Sequence, residues 1–246
     1  MSIAKLKNAP LKEVIFELHW HEDTDALGTP YDAGFDLAQG KLADKLKFTY
    51  PVHKKLIPDG VPFKVFGAPI HQYWKAEFQW PVIQHGQGIL AINENEVGYE
   101  WEKTYKPTVL HAIDLLISAY DDPLRFNGMI LKYIDAYDVE ELEPLIFVKE
   151  NLQTDLKTGY KHPGNLRNFN VSQVFELENG SLMYLNIANG TNNKNNKPSI
   201  IWSTTVEKRF NFTNKEIEPW LESAHKATSA MFKNMLKPEF YASLDR

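Results

Sequence analysis

The sequence predicts an α+β fold, antiparallel sheets covered by long amphipathic helices, and three patterns carry that expectation. Residues 11–20, LKEVIFELHW, are rich in β-branched and aromatic side chains, with Val14, Phe16 and Leu18 on one face of an extended chain. Thr213 and Glu216 form a capping-box pair ahead of an apolar stripe, Ile217, Trp220, Leu221, Ala224, Thr228, Met231, Phe232 and Met235, which stops before Pro238. Turn signals at Glu94-Asn95 and Asn179-Gly180 each sit between apolar runs, as hairpins require.

The elements follow in order. After the strand at 11–20, Leu37, Leu42, Ala43 and Leu46 predict a short helix over 35–47, ended by Tyr50-Pro51. Five prolines between Pro51 and Pro81 predict irregular chain leading into a strand at Lys75–Trp80. A two-residue turn at Glu94-Asn95 sets Ile92 opposite Val97 and Leu90 opposite Tyr99, with Trp101 extending that face. Pro107 suits a first helical turn, and Val109, Ile113, Leu116, Ile117 and Tyr120 continue it to Asp121-Asp122-Pro123.

A strand from Arg125 to Tyr137 carries apolar residues on both faces, Met129 and Leu131 on one, Ile130 and Ile134 on the other. Residues 138–165 read as a connection between an N-terminal half, 1–137, and a C-terminal half, 166–246, each running strands into a helix. In the second half a type I′ turn at Asn179-Gly180 sets Leu177 opposite Leu182 and Phe175 opposite Tyr184. The run NGTNNKNNK, 189–197, is too polar to pack and leads into a strand at Ser199–Phe210.

Composition narrows the function classes. With 43% hydrophobic residues among 246, the chain has material for a packed core. A net charge of −5 repels polyanions, so nucleic acid is not the expected partner. The absence of cysteine removes disulfides, thiolate chemistry and the zinc patterns built on cysteine, and fits a cytoplasmic protein. The most apolar stretch, Val109–Tyr120, is interrupted by His111 and Asp114 and falls short of the ~20 residues of a membrane span, so no membrane is expected.

Candidate chemistry is sparse. His19 and His21 share one side of an extended chain and, with Asp23, could hold a metal ion, although a solvent-facing strand end explains the same residues. His225 lies beside the apolar stripe of the last helix, where a general base or a hydrogen-bonded structural histidine both fit. Trp74 and Trp80, with Tyr73, Phe63, Phe66 and Phe78, form an aromatic stretch among prolines that suits either a ligand or partner surface or a core. The glycines of His85-Gly86-Gln87-Gly88 permit a tight turn and match no phosphate loop. No serine stands in a GxSxG frame, and no cofactor is indicated.

The opening LKNAPLKEVIFEL, the segment GILAINENEVGYEWE, the strand RFNGMILKYIDAYD and the closing LESAHKATSAMFKNML together resemble a sporadically distributed, uncharacterised bacterial protein family of about this length. Where that family has LRYIN, Lys132 and Asp135 stand in place of the arginine and asparagine. An arginine that grips an anion with two bonds is not matched by the single ammonium of Lys132. The resemblance implies that Glu13, Lys132 and His225 occupy recurrent positions, and that the protein belongs to a patchily inherited defence or toxin-linked system.

From these observations the expected function is a non-enzymatic binding protein, a partner subunit or ligand sensor in such a system. Its expected partner is a protein encoded nearby, with a homodimer as a further form. Two rival functions are a metal-dependent hydrolase or nuclease using His19 and His21, and a nucleic-acid-binding protein using a curved antiparallel sheet.

Overall fold

In the computed structural model, which describes residues 6–58, 66–139, 144–154, 159–161, 163–164 and 166–245, the chain is α+β. Nine strands form a large antiparallel sheet in the order β4-β5-β6-β7-β1-β8-β11-β10-β9, and β2 pairs with β3 in a small separate one. The strands are β1 Leu11–Trp20, β2 Asp23–Thr24, β3 Pro30–Tyr31, β4 Val52–Lys55, β5 His71–Trp74, β6 Val82–Gly86, β7 Ile89–Asn95, β8 Phe126–Asp138, β9 Asn170–Glu176, β10 Leu182–Thr191 and β11 Pro198–Lys208. The helices are α1 Phe35–Leu46, α2 Lys106–Ala119, α3 Pro144–Asn151, α4 Ile217–Met235 and α5 Pro238–Ser243.

Two compact units divide the chain. One comprises 14–131 and 207–221, the other 1–13, 132–206 and 222–246, and β1, β8 and β11 give residues to both.

In the first unit β1 shows the alternation its sequence implies, with Val14, Phe16, Leu18 and Trp20 buried. α1 buries Phe35, Ala38, Leu42 and Leu46, and α2 buries Val109, Ile113 and Leu116. Between strand and helices Asp32 acts as a hub: the Trp20 indole N–H (3.0 Å) and the Tyr120 hydroxyl (2.6 Å) both donate to its Oδ2. Burial and this carboxylate push the Tyr120 phenol pKa up.

Two expectations for this unit are corrected. The segment after Glu94-Asn95 does not return as a strand: Val97 is exposed, and Trp101 opens a π-helical turn, Trp101–Tyr105, that runs into α2. The hairpin partner of β7 is instead β6, joined through Gln87-Gly88, with Gly86 opposite Ile89 and Gly88 at φ +71°. The strand expected at Lys75–Trp80 lies earlier, at His71–Trp74, because the chain turns immediately after Trp74 and Phe78 takes a positive φ of 59°.

In the second unit, residues read as a connection contain α3, whose Phe147 and Val148, with the following Leu152, pack into a core of Leu185, Ile187, Trp202, Met235 and Phe240. The Asn179-Gly180 turn is present but its register is one residue away from the expected one: Leu182 pairs with Glu176, Met183 with Phe175 and Tyr184 with Val174. The Gly180 N–H donates to the Leu177 carbonyl at 2.9 Å, Gly180 has φ +73°, and Leu177 N–H closes the loop on Ser181. That is a type I turn with a glycine bulge, not the two-residue turn expected. A one-residue slip turns β10 over, so Met183, Leu185 and Ile187 are buried while Leu182 is more than a third exposed.

The polar run 189–197 is ordered by one carboxylate. Asp138 accepts from Asn192 Nδ2 (3.0 Å), Asn195 Nδ2 (2.8 Å) and the Ser199 hydroxyl (2.7 Å), closing the β10–β11 connection. The capping box ahead of α4 forms as its sequence implies, the Glu216 carboxylate accepting the Thr213 N–H at 2.9 Å. Among the described residues no helix is long and apolar enough to cross a membrane.

Candidate functional site

The residues expected to hold a metal are engaged separately. His19 Nε2 lies 2.9 Å from Glu17 Oε2, His21 Nε2 lies 2.6 Å from Asn211 Oδ1, and Asp23 Oδ2 accepts the Ala33 N–H at 3.3 Å. Among the described residues no three His, Cys, Asp or Glu side chains gather where a metal ion could sit.

Of the residues carried over from the family resemblance, Glu13 stands on β1 and Lys132 on β8, both half-buried. His225 is met from β8 by Tyr133, the neighbour of Lys132, whose hydroxyl is 2.9 Å from His225 Nδ1. Trp74 is buried at the end of β5, edge-on to Trp80 with ring centroids 5.6 Å apart. The exposed ring of that cluster is Phe78, with the Lys54 ammonium 3.9 Å from its centroid. Phe63, also expected there, lies outside the described residues.

A cleft of about 470 Å³ lies beside the end of β1 and the start of β8. The His21 N–H donates to the Arg125 carbonyl at 2.9 Å, holding the chain after β1 against the residue that precedes β8. Phe212 bridges Phe126 in antiparallel fashion, and their rings stack 5.8 Å apart at 13°. Ile117 of α2, Pro123 and Leu124 complete an apolar wall, and Asn211, Thr213 and Asn214 supply polar groups from the chain entering α4.

Among the described residues of this lining Arg125 carries a positive charge, and the His21 imidazole is held by Asn211. Arg125 is exposed, and among the described residues its guanidinium makes no ion pair. Among the described residues the lining holds no carboxylate, so the set can orient an anion against an apolar wall but offers no acid and base pair. Arg125, Asn211 and Phe212 escaped the sequence because they stand at element ends far apart in the chain. The available signal was the pair of phenylalanines flanking strand ends, Phe126 and Phe212.

Perturbed ionisable groups lie elsewhere. Burial lowers the pKa of His85 to about 3 and of His71 to about 4, the latter helped by His53 and Lys55. In the second unit, burial raises Asp135 to about 7 against the opposing pull of Lys12. Among the described residues the indole N–H of the buried Trp202 meets strict hydrogen-bond geometry with no acceptor, although its dipole also pulls the Asp135 pKa down.

Compared with protein-family models, curated proteins and solved structures, the chain matches none.

Proposed function

We propose that the chain is a binding protein that senses a small ligand, with the cleft around Arg125 as its site. The observation that carries this reading is the pairing, in one cleft, of a guanidinium without an ion-pair partner among the described residues and a stacked phenylalanine wall. Such a site suits a ligand with a carboxylate or phosphate at one end and a flat apolar body at the other. Placement in a bacterial defence or toxin-linked system, as sensor or as partner subunit, rests on the family resemblance alone.

Titration calorimetry with phenyl phosphate, benzoate and inorganic phosphate tests the assignment. Saturable binding of the aromatic anions, weaker binding of phosphate, and loss in Arg125→Ala with partial retention in Arg125→Lys are expected. Absence of saturable binding by all three probes, or affinities indifferent to Arg125→Ala, would overturn it.

A further inference from the structure

β9 ends the large sheet, and its outer edge is unlike that of a strand meant to stay single. All seven of its residues are exposed or half-buried. Sheet edges are normally protected by lysine, proline, glycine bulges or inward charges. NVSQVFE has none of these, and its only charge is Glu176 at the end.

The inner pairing shows what this edge lacks. Phe175, Gln173 and Val171 stand opposite Met183, Leu185 and Ile187, so they share the face that forms the core of this unit. On β10 that face is closed, with Met183 and Leu185 each 3% exposed and Ile187 1%. On β9 it is closed only in part, Val171 being half-buried and Phe175 37% exposed. The apolar face therefore runs one strand beyond its cover.

We infer that β9 pairs antiparallel with β9 of a second copy of this chain, about a twofold axis through Gln173, joining two sheets edge to edge. The strand is self-complementary in this register. Val171 meets the partner's Phe175 on the core-facing side, and Ser172 meets the partner's Val174 on the other. Asn170 meets the partner's Glu176, so the one charge faces a neutral amide and no like charges oppose. Gln173 meets the partner's Gln173, where two side-chain amides can bond to one another. Closure by a twofold uses the same edge on both copies and leaves no edge of β9 for further growth.

Sedimentation equilibrium of the full chain from micromolar to hundreds of micromolar tests the pairing. A species of twice the chain mass is expected. Gln173→Lys and Gln173→Glu each place like charges face to face at the axis and should weaken the dimer several-fold while leaving the circular dichroism spectrum intact. An equimolar mixture of the two variants should recover a dimer, because lysine then faces glutamate. A wild-type chain that stays monomeric throughout, a dimer unchanged by both variants, or a mixture that does not recover would each overturn the proposal. Recovery on mixing also separates an edge contact from a folding defect, which mixing does not repair.

Discussion

His71 and His85 face one another directly across β5 and β6, and the Phe35 ring lies against both, its centroid 6.0 Å from the first and 5.0 Å from the second. His71 is bonded to His53, Nδ1 to Nε2, at 2.9 Å, whereas both ring nitrogens of His85 are buried without a hydrogen-bond partner among the described residues. One ring of this pair is therefore satisfied by a neighbour and the other by packing alone. A buried polar atom left unpaired costs about 1–3 kcal/mol.

This arrangement makes the fold acid-sensitive. Both histidines titrate near 6.5 in an unfolded chain but not until about 4 and about 3 in the fold. Between those limits the unfolded state binds more protons, so the stability these two rings contribute is fully present above 6.5 and falls as the pH drops toward 4 and then 3. Thermal melts from pH 7.5 to 4.5 should show this decline, and His85→Phe should flatten it because the substituted ring cannot be protonated. A slope unchanged by His85→Phe would assign the acid sensitivity to other groups.

Gly88 is required twice over at the β6–β7 turn. It sits at φ +71°, and a Cβ there would fall on the Phe66 ring. The left-handed conformation alone costs roughly 1 kcal/mol for alanine, and the clash adds to it, so Gly88→Ala should lose about 2 kcal/mol or more. Adding Phe66→Ala should recover the part due to the ring and leave the backbone part. A double-mutant cycle in urea separates the two, and strict additivity would show that the ring moves aside freely.

The alternation of β1 and the capping box of α4 were legible because each is local: one depends on successive residues facing opposite ways, the other on four consecutive residues. The glycine turn at Asn179-Gly180 was legible as a turn but not in register. A bulge adds one residue and changes which side chains face inward, while leaving the dipeptide signal the same. The missing return strand after Asn95 has a signal in retrospect. Trp101, Tyr105, Val109 and Ile113 recur at helical spacing, so the α2 stripe begins in the π-helical turn before it. The cleft and the histidine pair were beyond local pattern, since strand pairing and chain packing bring together residues such as His21 and Asn211, 190 positions apart.

Asp138 is the side chain whose loss should be felt in one loop. It is held below the ordinary carboxylate pKa by the Asn195 and Ser199 hydrogen bonds. These contacts are partly open to solvent, so the stabilisation is modest, present above about 4 and lost as the pH falls below it. Asp138→Ala should expose 189–197 to limited proteolysis at neutral pH, while Asp138→Asn should preserve part of the loop. Equal cleavage rates in wild type and Asp138→Ala would show that the turn backbone orders the segment unaided.

Asp135 slopes the other way. Burial keeps its carboxyl protonated to about 7 in the fold, whereas in an unfolded chain it ionises near 3.8. Over that interval the folded state holds the extra proton, so stability falls as pH rises, opposite in sign to the histidines of the other unit. Asp135→Asn keeps the shape and removes the titration. It should stabilise the protein at pH 8 by on the order of 2 kcal/mol and change little at pH 4, where wild-type Asp135 is already neutral in the fold. Asparagine is nearly isosteric with a neutral carboxyl group, so the variant should remain well packed beside Trp202. Hydrogen exchange followed across pH resolves the two opposing slopes by location. From pH 7 to pH 4.5, amides of β5 and β6 should lose protection while those around Asp135 in β8 gain it. A uniform change in both regions would mean that a single global transition, not these two buried groups, governs the response to acid.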